Sequence, residues 1–128
     1  MKVSGRMATI VVTASASLLT SVALASAEAR EYIAWGPNRA SSVLYQDNTN
    51  SYVITDHAAG DAKNAAALFT RDPSGRAVVR FHACQFATRC AGRLDPDVTG
   101  RLYMWAGVGR GASTAGYTYG TPILIPEA

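Results

Sequence analysis

From Glu31 onward the chain is cut into short runs of β-branched and aromatic residues by clusters of Gly, Pro, Asp, Asn and Ser. This punctuation constrains the fold more than any other feature. No window keeps the 3.6-residue apolar period of an amphipathic helix. The pattern predicts strands over 31–35, 42–46, 51–56, 65–71, 76–82, 101–106, 114–119 and 121–125. Asp47-Asn48-Thr49-Asn50 is expected to turn the chain between the second and third runs. Asp72-Pro73-Ser74-Gly75 is the strongest hairpin signal, because Pro presets φ and Gly accepts φ > 0. Asn64-Ala65-Ala66-Ala67-Leu68 could open a short helix, since alanine is the best helix former. Its place inside a hairpin pattern favours a strand of small side chains. About seven or eight short strands predict an all-β domain, a small antiparallel sandwich or small barrel.

The first 27 residues have a different character. Lys2 and Arg6 precede an apolar run from Met7 to Leu24, and Ala25-Ser26-Ala27 supplies the small-x-small exit of a secretory signal. Thr13, Ser15, Ser17, Thr20 and Ser21 interrupt the run, which favours cleavage over a membrane anchor. Without a Cys at the cleavage point or a twin-Arg pair, ordinary export and release is expected. Cleavage after Ala27 would leave 101 of the 128 residues, enough for a single domain over 28–128. Lys2 and Arg6 would leave with the signal, taking the formal charge from +3 to +1. That removes the argument for nucleic acid as partner. Ala richness with Arg replacing Lys points to a high-GC bacterial coding sequence.

Cys84 and Cys90 are the whole cysteine inventory, and an exported chain is expected to pair them. For so short a loop the chain-entropy contribution is about 2 kcal/mol. His82 alone lies near enough to assist a metal, so neither metal site nor cofactor is expected. The bridge closes Gln85-Phe86-Ala87-Thr88-Arg89 into a pre-organised segment, with Gln85, Phe86, Thr88 and Arg89 as candidate binding residues. Phe86 or Arg89 would suit a protease specificity pocket. The plainer expectation is a staple on the long connection between residues 83 and 100.

Alternation assigns faces. Over 76–82, Ala77, Val79 and Phe81 are expected to face the core, and Val78, Arg80 and His82 the solvent. Over 101–106, the aliphatic Leu102, Met104 and Ala106 are the natural core set, leaving Tyr103 and Trp105 partly outside. Tyr117 and Tyr119 alternate with Thr118, so the four aromatics could form a strip that stacks on sugar rings or on a partner. Trp105 could equally close the core.

Catalytic readings find little support. Asp56-His57 and Asp61 are too sparse for calcium and read as turn acids beside an exposed histidine. No GxSxG elbow accompanies His57 or His82. Gly107-Val108-Gly109-Arg110-Gly111 precedes a strand pattern, not the helix of a phosphate loop. Asp95-Pro96-Asp97 is ordinary turn chemistry. The expectation is a small secreted, non-catalytic binding protein with an unknown protein or cell-wall glycan as partner. The alternatives are a protease inhibitor acting through the Cys84–Cys90 loop and a cell-wall or carbohydrate module using the aromatic face.

Overall fold

The computed structural model describes residues 30–128, so the expected signal and its cleavage point lie outside the described residues. Among the described residues there are nine strands and two short 3-10 turns, with no α-helix. The strands are β1 (Glu31–Trp35), β2 (Ser41–Gln46), β3 (Ser51–Asp56), β4 (Asn64–Thr70), β5 (Val78–Cys84), β6 (Arg89–Arg93), β7 (Leu102–Gly109), β8 (Tyr117–Tyr119) and β9 (Ile123–Ile125). They form two antiparallel sheets, ordered β1-β2-β3-β6 and β9-β7-β4-β5. β8 joins the second sheet beside β9, on the far half of β7. The fold is therefore all-β and sandwich-like.

The chain leaves each sheet and returns to it. The meander β1-β2-β3 builds three strands, β4 and β5 start the opposite sheet, β6 comes back to β3, and β7 crosses again to lie beside β4. The extra strand over the predicted set is β6, which lies inside the segment expected to be an irregular connection. Its sequence, Arg-Cys-Ala-Gly-Arg, lacks the apolar alternation that marks a half-buried strand. Pairing with β3 makes it a strand all the same, with Cys90 opposite Ile54 and Gly92 opposite Tyr52.

The core lies between the sheets. Val43, Tyr45, Tyr52 and Ile54 come from one side, and Ala65, Ala67, Phe69, Leu102, Met104 and Ala106 from the other. Phe69 meets Tyr45 and Tyr52 at ring-centroid distances of 6.0 and 5.2 Å. The alanines of β4 make room for these large rings, so an alanine run that favours a helix in isolation is drawn into a central strand. Ser41 Oγ adds a polar tie between the sheets, donating to the Gly107 carbonyl at 3.0 Å.

Leu102, Met104 and Ala106 face the core as expected. On β5 Val78 is exposed and Val79 packs against the core as expected, but Phe81 and His82 change places. Pairing sets Phe81 opposite Leu68 on the outer face, whereas Arg80, His82 and Cys84 align with the inward Phe69, Ala67 and Ala65. A register shift between Phe69 and Thr70 absorbs one residue of β5, which leaves Val79 packed at the core margin. Two physical facts favour this arrangement. β5 is an edge strand, so polar side chains directed inward still reach the margin of the sandwich, and the outer face of this sheet carries its own aromatic layer to receive Phe81.

Candidate functional site

The segment between the cysteines projects from the end of the sandwich. The Cys84–Cys90 disulfide is formed, joining the inner margins of β5 and β6. A tight turn opens the loop, with the Gln85 N–H donating to the Ala83 carbonyl at 3.1 Å. Gln85 Nε2 ties it to the Gly111 carbonyl at 3.0 Å. On the other side the Thr88 carbonyl accepts from the Asp56 N–H at 2.8 Å. Phe86 stands between these tethers with φ 63°, a left-handed conformation that is costly for a bulky residue. Its side chain is 99% exposed. Thr88 and Arg89 are exposed as well, and Arg89 begins β6.

A cleft of about 500 Å³ opens beside this tip. Asp56, Lys63, Asn64, Phe86 and Thr88 supply its larger walls, and the small Ala59, Gly60, Ala62 and Ala87 line the rest. The loop after β3 is turned by its own acids. Asp56 Oδ1 accepts from the Ala58 N–H and Asp61 Oδ1 from the Lys63 N–H, each at 2.9 Å. Those acids are turn formers, as the sequence suggests. The cleft itself was not foreseen, because its two walls lie more than twenty residues apart and neither carries a motif.

Behind the tip, the inward face of β5 builds a polar chain. Arg80 Nε donates to Tyr52 Oη at 3.0 Å, and Tyr52 Oη lies 2.8 Å from His82 Nδ1. The disulfide sulfur of Cys90 carries no hydrogen, so in its contact with His82 Nε2 only the ring N–H can donate. His82 Nδ1 is then the acceptor, and the ring hydrogen sits on Nε2, 3.7 Å from Cys90 Sγ. Burial, helped by the Arg80 charge, holds the His82 pKa below its ordinary value. His82 is half-buried and fully engaged, a correction to its expected place in solvent.

Tyr103, Trp105, Tyr117 and Tyr119 do share the outer face of the second sheet, but they spend much of their surface on the protein. Trp105 is half-buried, donates from Nε1 to Thr70 Oγ1 at 3.0 Å and meets Tyr119 edge-on at 6.2 Å. Tyr117 is buried, packs against Phe81 at 5.2 Å and donates to the Gly111 carbonyl at 2.8 Å. Tyr119 donates to the Thr114 carbonyl at 3.2 Å, and burial, with Tyr117 close by, pushes its phenol up to about 12. Tyr103 is half-buried on β7, the strand of Trp105.

Among the described residues one Ser–His pair exists. Ser42 Oγ lies 2.8 Å from His57 Nε2 on the outer face of the first sheet. His57 stacks on Trp35 at 5.3 Å, and the Arg39 guanidinium covers that indole at 4.4 Å. Ser42 is only 6% exposed, and neither residue of the pair lines the cleft. Among the described residues no acid orients the second ring nitrogen of His57, so the pair lacks the third member of a triad. No protein-family model, curated protein or solved structure matches this chain.

Proposed function

We propose that this is a small secreted, non-catalytic binding protein that grips a partner protein through the disulfide-closed tip. The observation that carries this reading is Phe86, a large apolar side chain held almost wholly in water at the apex of a loop tethered from both ends. Burying such a side chain in a partner is worth about 1.5–3 kcal/mol. Because the loop is already ordered, less of that gain is lost to entropy on binding. The adjoining cleft, with Asp56 and Lys63 in its walls, would receive a polar group of the same partner. The expected N-terminal signal supplies the secreted part of the proposal.

The test is retention of partners from the proteins of the producing culture's surface and medium, using immobilised wild type and Phe86→Ala. A species held by the wild type and lost by the variant is the expected result. Retention that ignores Phe86, with both proteins folded, would overturn the reading.

Two alternatives use the tip or the outer aromatic face. A protease inhibitor would present Phe86 or Arg89 to a specificity pocket, and Phe86→Gly or Arg89→Gly should then abolish inhibition of a trypsin-, chymotrypsin- or subtilisin-like enzyme. The left-handed backbone at Phe86 disfavours it, since recognition by strand addition requires extended chain. A glycan module would use Trp105, and Trp105→Ala should then lose binding to peptidoglycan or chitin. The internal hydrogen bonds of Trp105, Tyr117 and Tyr119 leave fewer polar groups for a sugar.

A further inference from the structure

We propose that the Cys84–Cys90 disulfide exchanges with dithiols, with Cys90 as the attacked sulfur and His82 as the group that holds its thiolate. This chemistry goes beyond partner binding and does not rest on it. The two sulfurs face opposite chemistry. Cys84 is 2% exposed, and its Sγ lies 3.9 Å from the Ile54 carbonyl, an acceptor that favours a protonated thiol. Cys90 is half-buried on the edge strand β6, and its Sγ lies 3.7 Å from His82 Nε2, which carries the ring hydrogen. A donor beside one sulfur and an acceptor beside the other separate their acidities in the reduced protein.

The donor is fixed in direction. Arg80 Nε–H points to Tyr52, the Tyr52 hydroxyl to His82 Nδ1, and His82 Nε2–H to Cys90. The oxidised Cys90 Sγ has no hydrogen to give, so this contact puts the ring hydrogen on Nε2 and leaves Nδ1 to accept from Tyr52. The charged or titratable groups linked to Cys90 through the bridge and the hydrogen-bond chain are Arg80, His82 and Cys84 from β5 and Tyr52 from β3, and Arg89 adjoins it on β6. Arg80 adds positive charge near the sulfur, and His82 can take up a proton beside a thiolate.

The exchange balances in two steps. A thiolate of the dithiol attacks Cys90 Sγ, and the disulfide bond breaks with its electron pair on Cys84 Sγ. Cys84 takes a proton and faces the Ile54 carbonyl as a thiol. The second substrate thiolate then attacks the substrate sulfur of the mixed disulfide, and the electron pair returns to Cys90 as a thiolate against His82 Nε2–H. The dithiol ends as a disulfide, and the protein is reduced by two electrons.

The test reduces the full secreted protein with dithiothreitol, removes the reductant without air, and pulses with iodoacetamide across a pH series. Peptide mass spectrometry reads alkylation at each cysteine. Cys90 should react before Cys84, with its half-maximal rate below the ordinary thiol value of about 8.5. His82→Leu should slow Cys90 about tenfold at neutral pH, the effect of one unit of pKa. Should that variant fail to fold, Arg80→Met changes an exposed side chain and should slow Cys90 several-fold, about 2–5 times. Oxidised glutathione added to the reduced protein should form its mixed disulfide on Cys90. Equal rates at the two cysteines, an unshifted half-maximum, or a Cys90 rate indifferent to both variants would overturn the proposal.

Discussion

Gly92 has no room for a side chain. A Cβ there would collide with Tyr52 Oη and stand 3.0 Å from His82 Nδ1, the two groups whose hydrogen bond anchors the polar chain. Gly92→Ala is expected to cost about 1–3 kcal/mol by forcing that bond apart. Urea denaturation checks it, and an unchanged midpoint would mean the two rings have space to give. His82 itself gives stability a pH dependence. Its folded-state pKa is depressed, so the unfolded chain takes up the proton more readily. The stability is therefore full above about 6.5 and is lost as pH falls below it. The part of this loss due to His82 should vanish in His82→Leu. Asp72 titrates in a separate, more acidic window. Hydrogen bonds from Ser74 and the Ala77 N–H hold its carboxylate down to about 2 from 3.8, so its contribution fades as pH drops through that interval. Asp72 was legible in the sequence because its partners are within five residues. Tyr52 and His82 are thirty apart, and nothing local in the sequence pairs them.

At the scale of elements, local patterning located most strands and the Asp72–Gly75 turn, where Gly75 has φ 84° as that turn requires. It failed where an element's character depends on what lies opposite. β7 was assigned correctly because its two faces differ, one aliphatic and one aromatic. β5 departs from the expected facing at Phe81 and His82, because both faces hold apolar residues and a register shift against β4 follows Val78. The facing of Phe81 makes a distinguishing prediction. Phe81, packed on Tyr117 and opposite Leu68, is a buttress of the outer layer. Phe81→Ala should therefore lose about 2 kcal/mol. Val78, 47% exposed on the same face, should change by less than about 0.5 kcal/mol on truncation to Ala. Equal losses in thermal or urea unfolding would count against the facing assigned to β5.

Across the whole molecule, the disulfide joins strands from different sheets, β5 and β6, at the margin opposite the edge held by β1, β8 and β9. Replacing both cysteines by alanine should cost about 2 kcal/mol. The same double variant should make the tip segment the first site of limited proteolysis. A variant as stable as the wild type, or one cut elsewhere first, would show that the bridge constrains little. The sequence alone determined what depends on nearest neighbours: strand runs, turns, the formation of one possible disulfide and the aliphatic face of β7. Tertiary structure decided the strand β6, the facing of β5, the cleft beside Phe86 and the chain from Arg80 to Cys90. Those features arise from contacts between residues far apart in sequence, and such contacts leave no period or spacing behind. The physical reason is that a strand's own residues fix its alternation, whereas its partner fixes its register and therefore which side chains meet.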